Sequence, residues 1–161
     1  MEDALIMRTI SSYTNDRVTS IGESTFYYYS SLTTVNFPAV NTIGAFAFYE
    51  CRNLATISFP AATVINGYAF NNCQSLVTAS FPAATSIGVG AFQYCYYLKS
   101  LYLTGSSLCK LTNSSAFRYT PIDGTSSYAG TYGSIYVPAS LLTSYKTATN
   151  WTYYSSRFVG T

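Results

Sequence analysis

The chain contains no histidine, and only 9% of its residues are charged. The first absence removes the commonest general base and the commonest metal ligand. The second leaves little to move protons with: the acids are Glu2, Asp3, Asp16, Glu23, Glu50 and Asp123, and no charged residue stands between Arg52 and Lys99. A net charge of +2 provides neither a basic footprint for nucleic acid nor an acidic tail. No apolar run approaches the roughly 18 residues needed to cross a bilayer, so membrane insertion is not expected. The opening MEDALIMRTI has acids where a secretory leader has a basic end and an apolar core, so an export signal, if the parent protein has one, is expected outside this stretch. CxxC pairs and glycine-rich phosphate loops are missing as well. The two glycines of IGVGAF need no more than a tight corner to explain them. These gaps disfavour catalysis, leaving a Ser–Lys pair or a lone carboxylate as the residual option, and no cofactor or metal site is expected.

What is present is a repeat. Ile21, Ile43, Ile65 and Ile87 recur at one fixed interval, and so do Phe26, Phe48, Phe70 and Phe92, and Leu32, Leu54, Leu76 and Leu98. Each copy carries a short motif, LTTVNF, LATISF, LVTASF or LKSLYL, whose first, fourth and sixth positions are apolar. Leu32, Val35 and Phe37 then point inward from a short strand while the residues between them face out. Pro38, Pro60 and Pro82 follow the first three strands, where a missing N–H is tolerated; Thr104 and Gly105 mark the fourth. A period of about 22 residues, inside the range of about 20 to 29 for such a core, predicts a leucine-rich-repeat solenoid of class α/β, with stacked short parallel strands. The crossing segment that follows leads to IG or ING and an AF or TF step, where a short helical or 3₁₀ turn is expected around Phe48 to Cys51.

The coils run 18–39, 40–61, 62–83 and 84–105. Residues 1–17 are expected to form an N-terminal cap in which ISSY, with Ile10 set one interval before Leu32, lays down an extra strand and TNDR a turn. Residues 106–161 are expected to hold an irregular fifth coil and a strand–helix cap. Phe117 comes later than the interval after Phe92 would place it, so SSLCKLTNSSAF contains an insertion. TPIDGTSSYAGTYG reads as a loop, SIYVP as a strand, and 139–149 as a helix with Ser140 as cap and Asn150 at its stop. Trp151 is expected to plug the open core, and TYYSSRFVG to form a finishing strand.

IGAFAFYEC, INGYAFNNC and IGVGAFQYC, each followed by an LxxIxFP-type strand, resemble the BspA-like (Treponema pallidum type) leucine-rich repeats of bacterial surface proteins over about residues 18–117. The tail, GSIYVPASLLTSYKTATNW, is similar to a C-terminal module that follows such repeats in proteins of gut bacteria and their phages. The resemblance implies a β/α solenoid and, by association only, adhesion to host or partner surfaces, with an extracellular or cell-surface location expected. This chain departs from the pattern at Tyr29, which stands in the first cysteine position, and at Ala79, which replaces an inward aliphatic.

Cys51, Cys73 and Cys95 form a ladder at the repeat interval. Their side chains point the same way and three cannot all pair, so buried free thiols are the favoured reading, with a disulfide or metal and redox work as lesser alternatives. Cys109 lies off the ladder and reads as structural. The outward strand positions make two rows, Thr34, Thr56, Thr78, Ser100 and Asn36, Ser58, Ser80, Tyr102. They could hydrogen-bond a glycan or peptide, with Tyr102 as a stacking platform; the favoured alternative is that they simply solvate the sheet. Tyrosine, at 17 residues, is the compositional excess. Tyr49, Tyr94, Tyr96 and Tyr97 are the stronger candidates for a recognition flank, against the equal alternative that tyrosine only covers coils poor in charge. Tyr29, in the cysteine position, and Tyr68, two before Phe70, are expected in the core. The expected partner is a protein or carbohydrate; the sequence does not choose between them or fix an oligomeric state.

Overall fold

A computed structural model describes residues 9–123 and 132–161 of the chain. The first eight residues of the expected N-terminal cap, and 124–131 of the expected loop, lie outside the described residues. The chain winds as coils in which short strands alternate between two sides. In order these are β1 (Ser12–Thr14), β2 (Ser20–Ile21), β3 (Thr34–Asn36), β4 (Thr42–Ile43), β5 (Thr56–Ser58), β6 (Val64–Ile65), β7 (Thr78–Ser80), β8 (Ser86–Ile87), β9 (Ser100–Tyr102), β10 (Lys110–Leu111), β11 (Ser134–Val137) and β12 (Phe158–Gly160). One five-stranded sheet runs β5-β7-β9-β11-β12, a second runs β2-β4-β6-β8-β10, and β1 pairs with β3. Every pairing is parallel. Thr56 faces Thr78 and Thr78 faces Ser100, so the repeat interval is the ladder register.

The second sheet occupies what the sequence suggests is only a crossing segment. Its strands are too short to show a period, yet Thr42–Ile43 and Val64–Ile65 supply the β-branched residues such a ladder favours. Ile43, Ile65 and Ile87 point inward and are completely buried.

The expected helical turn around Phe48 to Cys51 is replaced by a different arrangement. The amides of Ala47, Tyr49 and Cys51 donate within the coil to the carbonyls of Gly44, Phe46 and Phe48, at 3.3, 3.1 and 3.2 Å. Those of Phe46, Phe48 and Glu50 donate instead to Gly67, Ala69 and Asn71 of the next coil, at 3.2, 2.7 and 2.9 Å. Because alternate donors are committed to a neighbour, consecutive i→i−3 bonds cannot form and no helix starts. Left-handed residues recur with this alternation: Ser24, Phe46, Tyr68 and Gly90 in one column, and Tyr28, Glu50, Asn72 and Tyr94 in another. A non-glycine residue so held costs of the order of 1 kcal/mol or more, which the inter-coil ladder offsets.

Side chains from successive coils fill the space between the sheets as columns. Phe26, Phe48, Phe70, Phe92 and Phe117 stack nearly parallel, with centroids 5.0 to 5.4 Å apart. Phe37, Phe59 and Phe81 form a second pile, and Tyr13 of β1 stacks on its end at 5.5 Å. Leu32, Leu54, Leu76 and Leu98 form a buried third column. In the column Val35, Ile57, Ala79, Leu101 and Ile135, alanine is the smallest member, and it too is fully enclosed.

The C-terminal region departs from expectation in three places. The expected helix over 139–149 is a 3₁₀ turn at Ala139–Leu141 followed by the short helix α1 (Leu142–Thr147), and Ser140 caps neither, since Pro138 and Leu141 occupy the cap positions without side-chain bonds. The expected finishing strand is a 3₁₀ segment, Trp151–Arg157, with only Phe158–Gly160 extended. Asn150 does not merely stop a helix: it adopts φ 65° and its side chain donates to the Leu111 carbonyl at 2.8 Å. Trp151 is fully buried and stacks on Phe117 at 5.9 Å, ending the phenylalanine pile.

Candidate recognition surfaces

The thiol ladder belongs to the interior. Cys51, Cys73, Cys95 and Cys109 are free and buried. The Sγ–H groups of Cys51, Cys73 and Cys95 reach the Phe26, Phe48 and Phe70 carbonyls at 3.2, 3.2 and 3.1 Å, so each thiol satisfies a backbone acceptor of the preceding coil. Burial pushes Cys51 and Cys109 up to about 12 and holds Cys73 well above its ordinary value. A thiol that stays protonated is a poor nucleophile and a poor metal ligand. Tyr29, in the cysteine position of the first coil, is half-buried and lies edge-on to Phe26 at 5.5 Å.

Two surfaces carry the residues singled out from the sequence. On the outer face of the main sheet, Thr56 and Ser58 are exposed and Thr78, Ser80, Ser100 and Tyr102 half-buried; Thr34 and Asn36 continue the rows on exposed β3. Tyr102 does not end its row. Tyr136 of β11 stacks on it, with centroids 4.6 Å apart and planes 11° from parallel. The insertion before β11 carries this partner past the repeat interval, which conceals it from a search at that spacing.

The second surface is the turn side of the coils. Tyr27 and Tyr49 stack at 5.0 Å, Tyr28 packs against both at 4.6 and 5.8 Å, Phe46 and Tyr68 stack at 5.1 Å, and Tyr94 and Tyr119 at 4.8 Å. Tyr96 meets Tyr94 edge-on at 6.2 Å. Tyr68 is therefore not in the core but half-buried in this flank. Of the four tyrosines favoured from sequence, Tyr97 is the exposed one, at 52%; Tyr49, Tyr94 and Tyr96 are half-buried, with Tyr27 and Tyr28 exposed beside them.

Between the ring stacks runs a chain of polar groups. Glu50, with 8% of its side chain exposed, pairs with Arg52 at 2.5 Å. Asn72 donates to the same carboxylate, and Gln74 donates to Asn72 at 2.9 Å. The hydrogen bond and charge of Glu50 hold Arg52 above its ordinary value. Burial first, then the Glu50 charge, raises Tyr49. The nearly buried acid is thus neutralised by its neighbours in the coil stack. Among the described residues no group of three or more Cys, Asp or Glu side chains is placed to hold a metal, and no helix is long and apolar enough to cross a membrane.

At the C-terminal end of the tyrosine flank lies a pocket of about 440 Å³, lined by Ser114, Ser115, Arg118, Tyr119, Asp123 and Tyr153. The sequence marks none of these as a site, because they come from the insertion and the cap, where the repeat gives no register.

Parallel ladders stacked at the repeat interval, with apolar columns between them, define an α/β leucine-rich-repeat solenoid. The chain belongs to the BspA-type leucine-rich-repeat family: the family model, described as BspA type Leucine rich repeat region, matches in six copies over residues 8–126. A leucine rich cell surface protein from Faecalibacterium prausnitzii A2-165 is similar in structure, at 22% identity and a TM-score of 0.48, over 80% of this chain and 48% of that one. The chain thus spans about half the length of that protein. No curated protein matches.

Proposed function

We propose that the chain is a non-catalytic recognition module of a bacterial surface or secreted protein, binding a protein or glycan through its tyrosine flank, with the outer face of the main sheet as a second contact. The observation that carries this reading is the locking of exposed rings by their neighbours: Tyr27 and Tyr28, 38% and 44% exposed, are held by stacked and tilted ring contacts to each other and to Tyr49. Rings fixed before contact lose little freedom on binding, and tyrosine offers a large amphipathic area. The family supports a surface location. Glycan-array and host-matrix binding by the wild type, Tyr28→Ala and Tyr102→Ala tests the reading. Loss in Tyr28→Ala supports the flank and loss in Tyr102→Ala the sheet; full retention in both removes both surfaces.

A second reading, a structural or receptor-contact part of a phage tail or similar assembly, is supported by β12, which ends its sheet with Val159 40% exposed. Such an edge is a template for further strand pairing. Concentration-dependent assembly in sedimentation, abolished by Val159→Lys, supports this reading; a monomer at all concentrations counts against it.

A further inference from the structure

We infer that β12 of one copy pairs in parallel with β1 of the next, so that the stack of strands runs on from molecule to molecule, head to tail. This rests on the assembly reading above and names its partner, a second copy of this chain, and the strand that meets it.

From β5 to β11 the strands join in one pattern. Inward residues turn their backbone groups toward the next coil and outward residues toward the one before: the Phe59 and Phe81 amides donate forward to the Ser80 and Tyr102 carbonyls at 3.0 and 2.9 Å. The edges of β12 and β1 are the two halves of such a join. At β12 the Thr161 amide donates back to the Val137 carbonyl at 2.9 Å and Val159 pairs with Tyr136, so the alternation of a strand turns the backbone groups of Phe158 and Gly160 away from β11. At β1 the Asn15 amide donates forward to the Asn36 carbonyl at 3.0 Å, and the Ser11 carbonyl accepts from the Thr33 amide at 2.7 Å. The same alternation turns the groups of Ser12 and Thr14 away from β3. Among the described residues β1 pairs with β3 alone and β12 with β11 alone.

The register carries over as well. Tyr13 pairs with Val35 at one end of the inward column, and Phe158 with Ile135 at the other. Phe158 opposite Tyr13 of the next copy sets Val159 opposite Thr14, and the amides of Phe158, Gly160 and that Thr14 each meet a carbonyl. Thr14 and Val159 are exposed, and neither strand holds a proline or lysine to guard its edge. The second sheet cannot continue in this way, because its β10 edge is closed within the chain: the Asn150 and Trp151 side chains donate to the Leu111 and Cys109 carbonyls at 2.8 and 2.7 Å.

Charge sets the direction. Coils follow one another along one axis, so order in the chain is order along the stack. Every acid but Asp123 precedes Lys99, and every base but Arg8, Arg17 and Arg52 is Lys99 or follows it. The β12 end is therefore basic and the β1 end acidic, which favours head-to-tail contact over either like-to-like arrangement. A contact between two different surfaces need not close on itself, so it builds chains as well as dimers.

The test is sedimentation velocity of the full chain over a range of concentrations, with Thr14→Lys and Val159→Lys each placing a charge on one edge. Wild type is expected to grow past the dimer as concentration rises. Each variant alone should stay monomeric to at least about tenfold above the concentration at which wild type associates, at unchanged melting temperature. Mixed in equal amounts the two should form dimers and nothing larger, because the intact β12 of Thr14→Lys meets the intact β1 of Val159→Lys. An oxidised mixture of Thr14→Cys and Val159→Cys should give the mixed disulfide, since paired strands set these positions roughly 4.8 Å apart; the native cysteines are buried. Association that survives in Thr14→Lys, a mixture that forms no dimer, or disulfides only between like variants overturns the β1 partner. If Val159→Lys still abolishes association in that case, the assembly reading stands with another partner. Wild type that is monomeric at all concentrations overturns both.

Discussion

Phe48 and Phe70 stack with ring centroids 5.1 Å apart and planes 3° from parallel, although they stand one full coil apart in the chain. Each ring is completely buried, and Phe70 touches Phe48, Phe59, Phe81 and Phe92. Removing it opens the middle of both aromatic piles. Phe70→Ala is expected to cost about 3 to 5 kcal/mol, a large share of the stability of a single domain. Tyr153→Ala, at the exposed rim, should stay within about 0.5 kcal/mol of wild type. Urea unfolding of the two variants measures the difference; equal midpoints would mean that the pile does not hold the coils together.

That stack was legible because a side chain recurring at one interval must face the same way in every coil. The outward rows Thr34, Thr56, Thr78, Ser100 were legible for the same reason. Two kinds of feature were hidden. The second sheet rests on strands such as Ser86–Ile87, too short to carry a periodicity, and the alternation of amides from Gly44 to Glu50 depends on backbone angles that Phe46 and Glu50 do not advertise. Past Leu103 the coils lose their common length, so Tyr136 could not be aligned with Tyr102, nor Tyr119 with Tyr94. The pocket at Arg118 and Tyr153 joins residues whose neighbourhood only the folded cap creates.

The cap makes its own prediction. Trp151 Nε1–H donates to the Cys109 carbonyl at 2.7 Å, and the Cys109 amide donates to the Tyr145 hydroxyl oxygen at 2.9 Å. Trp151→Phe keeps a ring against Phe117 but leaves that buried carbonyl without the indole donor, at a cost of about 1 to 3 kcal/mol. Because coils contact mainly their neighbours, the damage should stay local. Hydrogen exchange should quicken over β10 and β12 and remain unchanged over β5 and β7; uniform acceleration would contradict this.

Gly22 and Gly44 occupy the same repeat position with opposite tolerance. A Cβ on Gly44 would lie 2.6 Å from the Glu23 amide nitrogen and the Gly22 carbonyl carbon, backbone of the coil before it. On Gly22 the nearest atom is the Thr25 Oγ1 at 3.4 Å, an ordinary contact. Gly44→Ala should therefore destabilise by more than about 1 kcal/mol, and Gly22→Ala by less than about 0.5 kcal/mol. Thermal melting of the pair decides it, since reversal of the order would mean that the coil before Gly44 does not press on it.

The pH profile follows from the same burial. With no histidine, no side chain has an ordinary pKa between about 5 and 8, so stability should be flat across that range. Above it the buried acids act. Cys51 and Cys109 are raised to about 12 from 9.0, and Tyr145 to about 12 from 10.0, chiefly by desolvation. A group raised on folding keeps its proton in the native state after the unfolded chain has lost it, so the folded form binds more protons and stability falls as pH rises. Its contribution is fully present below pH 9.0 for the thiols and 10.0 for Tyr145, and it is lost toward about 12. Urea midpoints at pH 6, 8 and 10.5 should be equal at the first two and lower at the third. Under the same conditions a thiol reagent at pH 8 should leave the native protein unlabelled and modify all four cysteines once it is unfolded. Fast labelling of the native protein would show that the carbonyl-bound thiols are open to solvent.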